Sequence, residues 1–263
     1  MARHVDPDYL SLFADSGRAA GAKGPQYLGL RDHIAELIRS GKLRPQEKLP
    51  SERQLLSILT IARGTLREAL AQLEGEGLIY RLDRRGWFVS PERIEYNPTK
   101  AEGFMEFVAA QGRTPTTITL SKESVPARGR AAEVLGIGDG DQMYLIQRKR
   151  LIDERPVVVE QICVNPALFP DLLDQDLDRS LTGVLESHYG VSVANSDLEM
   201  YPSALTGWIA QELNVGTGTP GLFVRRVSRD RLGRVVEFDR EFWHHGAIKL
   251  KLAVNGPRRR RKA

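Results

Sequence analysis

From Tyr27 onward, apolar residues recur at helical spacing. Leu30, Ile34, Leu37 and Ile38 follow, and Gly41 ends the pattern. The stretch 43–50 holds Pro45 and Pro50 and cannot be helical throughout. Ser51-Glu52-Arg53-Gln54 has the spacing of a capping box, which predicts a short helix ending at Ile58 or Leu59. After a turn at Thr60 and Ile61, a third helix is predicted from Arg63 to about Glu76. Leu66, Leu70 and Leu73 form its apolar face and Gly77 stops it. Residues 78–82 and 86–89 read as two short strands around Asp83-Arg84-Arg85. Three short helices followed by a hairpin predict a winged helix-turn-helix over 25–90. Residues 1–24 show no sustained period and are rich in Gly, Ala and Ser near their end, which predicts a mobile arm.

Beyond residue 90 the pattern changes. Residues 91–101, with Asn97-Pro98, read as a linker, and helical spacing resumes over 102–110. After Gly112, strands and short helices alternate to about residue 254, and part of this run repeats. Ala132-Glu133-Val134-Leu135-Gly136-Ile137-Gly138, then strands at 144–152 and 156–164, is echoed by Ala210-Gln211-Glu212-Leu213-Asn214-Val215-Gly216, then strands at 222–229 and 235–242. Two such copies can share one antiparallel sheet, with helices over a face and a cleft between. The predicted class is α+β: a winged helix-turn-helix followed by an antiparallel sheet with helices over 102–254, then a short tail from Asn255.

Charge divides along the same line. The net charge is +4, but residues 25–90 carry 11 basic and 8 acidic groups, and residues 91–254 carry 19 and 23. The tail adds Arg258, Arg259, Arg260, Arg261 and Lys262. A basic module beside an acidic one points to a polyanion for the first and a different partner for the second. No apolar run approaches the roughly 18–20 residues that span a bilayer, and the first residues lack the basic-then-apolar order of a signal peptide. Cys163 is the sole cysteine, which excludes an intramolecular disulfide and a cysteine metal cluster and fits a reducing cytoplasm. The five histidines show no zinc spacing, so neither a metal nor a cofactor is expected.

Arg63, Thr65 and Arg67 stand at the N-terminal end of the third helix, the end that meets base edges when a helix-turn-helix docks. Arginine can grip guanine in bidentate fashion, and threonine can meet a phosphate or a thymine methyl. Arg53 opens the preceding helix, placed to anchor a phosphate. Arg84 and Arg85 form the wing tip, where Gly86 lets the backbone approach a minor groove. Any one of these arginines alone reads equally well as a solvated face; their order along the chain favours DNA.

In the second module, Arg148 and Arg150 are two apart on a strand and project from one face. Two guanidiniums so placed repel unless they are solvated or share an anion. Ser180 begins a predicted helix, 181–189, whose N-terminus offers free N–H groups to an anion. Glu237, Asp239 and Glu241 share one strand face, where a carboxylate turned to the cleft could hold an ammonium. Plainer readings stand beside these: an Arg148–Glu160 cross-strand pair, Ser180 as a helix cap, and a solvated acidic face.

The segments Leu49-Pro50-Ser51-Glu52-Arg53, Ala62-Arg63-Gly64-Thr65-Leu66-Arg67-Glu68-Ala69-Leu70, Leu73-Glu74-Gly75-Glu76-Gly77-Leu78-Ile79 and Arg85-Gly86-Trp87-Phe88-Val89 resemble the DNA-binding domain of GntR-family transcription regulators. The resemblance implies DNA contacts at Arg53, Arg63, Thr65, Arg67 and Gly86; Gly64 departs from the polar residue frequent at its position. Arg148-Lys149-Arg150, Pro156-Val157-Val158-Val159-Glu160, Phe169-Pro170-Asp171-Leu172-Leu173, Ser180-Leu181 and Gly233-Arg234-Val235-Val236-Glu237 resemble the effector (UTRA) domain of the HutC subfamily, whose fold is similar to chorismate lyase. That resemblance implies an effector site at Ser121, Arg148, Arg150, Glu160, Ser180 and Glu237, and a homodimer on a pseudo-palindromic operator. Trp243 stands near the place of an aromatic residue often found there.

Arg84 to Arg93, Ser180-Leu181-Thr182 with Glu186-Ser187, and Glu241-Phe242-Trp243 are similar to PhnR-type regulators of phosphonate use. This implies a repressor of phosphonate catabolism released by 2-aminoethylphosphonate. A HutC-type regulator answering a sugar phosphate or another carboxylate is the alternative. An enzyme with a chorismate-lyase-like site is a third reading, against which stands the lack of a nucleophile–base pair, a metal motif or a phosphate-binding glycine loop. The basic tail reads either as a nonspecific nucleic-acid tether or as a solubilising end.

Overall fold

The computed structural model describes residues 7–14, 25–82, 85–100 and 102–253. Arg84, most of the arm and the basic tail lie outside the described residues. The described chain divides into two compact units. The first comprises residues up to 92 with 202–222 and 244–246; the second comprises 93–201, 223–243 and the residues from 247 on.

In the first unit, α1 (Pro7–Ala14), α2 (Gln26–Arg39), α3 (Glu52–Ile58) and α4 (Arg63–Gly75) precede the hairpin of β1 (Ile79–Leu82) and β2 (Gly86–Val89). The capping box forms as its spacing requires: Gln54 N–H donates to Ser51 Oγ at 3.3 Å, and Ser51 N–H donates to Gln54 Oε1 at 2.9 Å. Leu30, Ile34, Leu37, Leu66, Leu70 and Leu73 meet in one core between α2 and α4. Burying each contributes roughly 1.5–3 kcal/mol of transfer free energy.

The arm differs from expectation between Pro7 and Ala14, which form a helix whose Phe13 is fully buried in that same core. Tyr9 OH donates to the Lys48 carbonyl at 2.9 Å, and His33 Nε2 lies 2.7 Å from the Leu12 carbonyl oxygen. Two turns are too short to reveal a period and too short to be stable alone, so this helix exists because it docks.

The second unit holds most of a six-stranded sheet of β4 (Pro115–Pro126), β5 (Gln142–Ile152), β6 (Arg155–Val164), β7 (Asn195–Leu205), β8 (Thr219–Arg229) and β9 (Val235–His244), in spatial order β4-β5-β6-β9-β8-β7. That order is the repeat made visible. Each copy is a strand, a helix and a hairpin: β4, α6 (Arg130–Leu135), β5 and β6, then β7, α8 (Gly207–Glu212), β8 and β9. The copies meet where β6 pairs antiparallel with β9, setting Glu160 opposite Glu241. On one face, α6 packs its Ala132 and Leu135 against Met143, Cys163 and Phe238. On the other, Leu181 and Leu185 of α7 (Leu181–Tyr189) pack with Phe169 and Leu172 against Ile146 and Ile162.

The segment expected as a linker is ordered in its middle. β3 (Ile94–Tyr96) pairs in parallel with β10 (Ile248–Leu250), and Ile94 and Tyr96 are buried. A three-residue strand between polar neighbours carries no alternation long enough to read from sequence. A short helix, α5 (Phe104–Ala109), follows, two residues shorter at its start than the pattern predicts.

Candidate functional site

Two sites emerge, one in each unit. On the first unit, Arg63 opens α4 and is exposed, Arg67 stands one turn later, and Thr65 between them is half-buried. Arg67 Nε pairs with Glu52 Oε2 at 3.1 Å on an exposed surface, a contact worth little and easily exchanged for a nucleic acid. Arg53 is exposed on the first turn of α3. Arg85 is exposed beside the ring of Phe88, its guanidinium carbon 5.8 Å from the centroid. Gly86 adopts φ +99°, a conformation that any other residue would strain to hold. The cations expected to face DNA therefore sit on α3, α4 and the wing, free of burial.

In the second unit, a cavity of about 590 Å³ opens between the sheet and the starts of α5 and α7. Arg150, Glu160 and Glu237 line it, and Ser180 with Thr182 and Gly183 brings the N-terminus of α7 to its wall. Ser180 Oγ accepts from Gly183 N–H at 3.3 Å, so its capping role is real and coexists with a place at the cavity. The outer part of the wall is formed by β7 residues Asn195, Ser196 and Leu198.

Arg148 and Ser121 do not line the cavity. Arg148 is only 1% exposed and lies beneath the cavity floor. Its Nε donates to Glu160 Oε1, and one terminal nitrogen donates to the carbonyls of Leu177 at 3.1 Å and Arg179 at 3.2 Å. It fastens the chain just ahead of α7 to the sheet, and so sets where that helix begins. Ser121 is displaced by a bulge in β4 between Thr119 and Ser121, which puts it opposite Gln147 rather than in phase with Arg148. Its hydroxyl lies 3.2 Å from Gln147 Oε1, on the face away from the cavity.

The anion shared by the two arginines is internal. Glu160 Oε2 accepts from Arg150 Nε at 2.9 Å while its other oxygen takes Arg148. Burial alone would raise the Glu160 pKa, but Arg148 and Arg150 outweigh it and hold the carboxyl low. Arg150 lines the cavity and lies with its guanidinium carbon 5.0 Å from the Phe104 centroid.

A third guanidinium completes the floor. Arg226 on β8 donates from Nε to Glu241 Oε1 at 3.2 Å, and also reaches Tyr96 OH at 2.5 Å. Trp243 Nε1 takes the other Glu241 oxygen at 2.6 Å. Against the cost of burying Arg226, Glu241 and Tyr96 hold its charge firmly in place. Arg226 was missed in the sequence, although the repeat carried the signal: the offset from Ala132 to Ala210 also carries Arg148 to Arg226. Tyr96 was hidden in what reads as a linker.

Glu237 and Asp239 complete the buried charge on this face. Burial raises the Glu237 pKa against the pull of Arg226 and Arg148. Burial and then Glu241, Glu160 and Glu237 raise that of Asp239 well above the usual carboxylate range. The strand face that reads as a possible solvated stripe is therefore closed, with Glu237, Asp239 and Glu241 each under 10% exposed.

The sequence profile described as the UTRA domain matches residues 110–249, and the one described as bacterial regulatory proteins, gntR family, matches residues 26–89. The uncharacterized HTH-type transcriptional regulator YihL of Escherichia coli (strain K12) is 29% identical over 221 residues, 84% of this chain and 94% of its own. The HTH-type transcriptional repressor NagR of Bacillus subtilis (strain 168) is 29% identical over 213 residues, 81% of this chain and 88% of its own. Among solved structures, PhnF from Mycobacterium smegmatis aligns with a TM-score of 0.62 at 21% identity, covering 86% of this chain and 99% of its own, a likeness of fold.

Proposed function

Since this chain belongs to the UTRA-domain transcription regulators of the GntR family, we propose that it is a cytoplasmic repressor whose hold on operator DNA is released by a small effector with an anionic end. It is a DNA-binding regulator, not an enzyme, as are its relatives. The observation that carries the proposal is the pairing, in one chain, of exposed cations on α3, α4 and the wing with a polar cavity in the second unit.

The anionic end of the effector would meet the terminal nitrogens of Arg150 and the N–H groups at the start of α7, where Ser180 stands. The effector is 2-aminoethylphosphonate on this reading, with its phosphonate at that end and its ammonium toward Glu237. A sugar phosphate is the second reading; it rests on Asn195 and Ser196 of β7 in the cavity wall, which suit hydroxyl groups. DNA contacts are assigned to Arg53, Arg63, Thr65, Arg67, Arg85 and Gly86, and effector contacts to Arg150, Glu160, Ser180 and Glu237. A homodimer would present two reading helices to the two halves of a pseudo-palindromic site. Coupling of about 1–3 kcal/mol, roughly 5–150-fold in DNA affinity, is typical of such control.

The test is fluorescence anisotropy on DNA from upstream of the protein's own gene and its neighbours. Protein is titrated first; 2-aminoethylphosphonate, phosphonoacetaldehyde and a panel of sugar phosphates follow. Release by a phosphonate is the expected result. Tight binding released only by a sugar phosphate moves the assignment to the second reading, and the absence of specific binding refutes the proposal.

A further inference from the structure

Counting partners across the cavity floor leaves carboxylates in excess. Glu160 is occupied by Arg148 and Arg150, and Glu241 by Arg226 and Trp243. Asp239, 3% exposed and lining the cavity, has its Oδ1 buried without a hydrogen-bond partner. Glu237, two residues away on the same face of β9, is 7% exposed, lines the cavity, and makes no hydrogen bond or ion pair among the described residues. A buried polar atom left unpaired is costly in a finished core, and in a cavity it marks a place kept for a ligand.

The wall beside this end is aromatic. Tyr96 stacks on Trp243 at 6.0 Å between centroids, and Phe104 lies 6.2 Å from the same indole. All three rings line the cavity. Ring faces attract cations and offer nothing to an anion. Unpaired carboxyls beside stacked rings therefore recognise a positive group.

We propose that this end of the cavity is an alkylammonium subsite and that Asp239 is the residue that selects for the charge. The inference rests on the cavity being the effector site and deepens that reading. The groups near Asp239 are Glu237 and Glu241 on its own strand, Glu160 and Cys163 on β6, Arg226 on β8 and Tyr96 on β3, with Arg148 and Arg150 beyond them on β5. Three carboxyls against one near guanidinium keep a proton on Asp239 when the cavity is empty. An arriving ammonium takes the place of that proton, which leaves to solvent; the charge of the subsite is the same before and after. Effector binding then strengthens as pH rises toward the raised Asp239 value, and weakens as pH falls.

Three measurements on the full-length protein test this. Infrared difference spectra between wild type and Asp239→Asn, without ligand at neutral pH, should show the carbonyl stretch of a protonated carboxylic acid in the wild type only; its absence overturns the proposal. Calorimetry with 2-aminoethylphosphonate in two buffers of different ionisation enthalpy should give a proton release by the wild type larger than with ethylphosphonate, which carries no amine, once each ligand's own phosphonate titration, measured separately, is subtracted. Asp239→Asn should bind 2-aminoethylphosphonate at least tenfold more weakly while changing ethylphosphonate little. Equal affinity of the variant for the amine, no excess proton release, or no binding of the amine by wild type each overturns the subsite. Should the variant fail to fold, the wild-type proton count decides. Binding of the amine with proton release but without release of DNA sinks the regulatory reading alone and leaves the subsite standing.

Discussion

Arg148→Met separates a residue that positions the proposed effector cavity from one that lines it. The substitution removes the guanidinium and keeps an unbranched apolar stem of similar reach. Glu160 is not orphaned, because Arg150 still holds its second oxygen at 2.9 Å. The full penalty of a broken buried ion pair, about 3–5 kcal/mol, is therefore not incurred. What is lost is one charged hydrogen bond and the donors to the Leu177 and Arg179 carbonyls. An unsatisfied buried polar group costs about 1–3 kcal/mol, and the carbonyls at 177 and 179 can turn partly to solvent, so the net cost is about 2–4 kcal/mol. For a unit of this size that lowers the Tm by about 4–16 °C.

Scanning calorimetry of the full chain reads the stability, and effector titration reads the site. Effector affinity should fall about tenfold because the start of α7 is no longer pinned, while DNA affinity without effector stays the same. Arg148→Lys should recover part of the Tm and part of the affinity. Arg150→Met should behave in the opposite proportion: a small Tm change, since Glu160 keeps Arg148, with near-complete loss of effector response. The reasoning is refuted if Arg148→Met leaves the Tm unchanged and abolishes the response as Arg150→Met does, for Arg148 would then be a contact.

Phe13→Ala empties a fully buried ring site in the first unit and should destabilise it by about 3–5 kcal/mol, visible as a lower Tm and weaker DNA binding; an unchanged Tm would mean that α1 is dispensable. Arg67→Ala should weaken operator binding and, if the side chain meets a phosphate, reduce the slope of log affinity against log salt by about one, with effector affinity untouched; an unaltered DNA affinity counts against the reading helix. Asp239→Asn should stabilise the empty protein. A carboxyl whose pKa is raised by folding contributes stability that is full below its ordinary value and is lost as pH rises through the raised one. The Tm of Asp239→Asn should therefore exceed wild type by more at about pH 8 than at about pH 5, and a gap that narrows with pH would contradict the buried proton.

The sequence by itself determined whatever repeats over a helical turn or a strand. The helical spacing of Leu66, Leu70 and Leu73, the Ser51–Gln54 box and the hairpin around the wing specify the first unit, because local geometry alone decides them. The echo of one helix-and-hairpin unit in another points to a shared sheet, and the strands that precede each helix, β4 and β7, are added by the structure. Tertiary structure decided which side chains of that sheet face a cavity. Arg148 and Arg150 look equivalent at two residues' spacing, yet the loop before α7 closes over one and leaves the other open. A single bulge in β4 turns Ser121 to the far face. Glu160, Glu237 and Asp239 hold their protons with different strength because different charges come to lie beside each, and the cations among them come from β5 and β8, far along the chain. Periodicity encodes which face a residue belongs to; burial and charge pairing are properties of neighbours, and neighbours are settled only when distant strands meet.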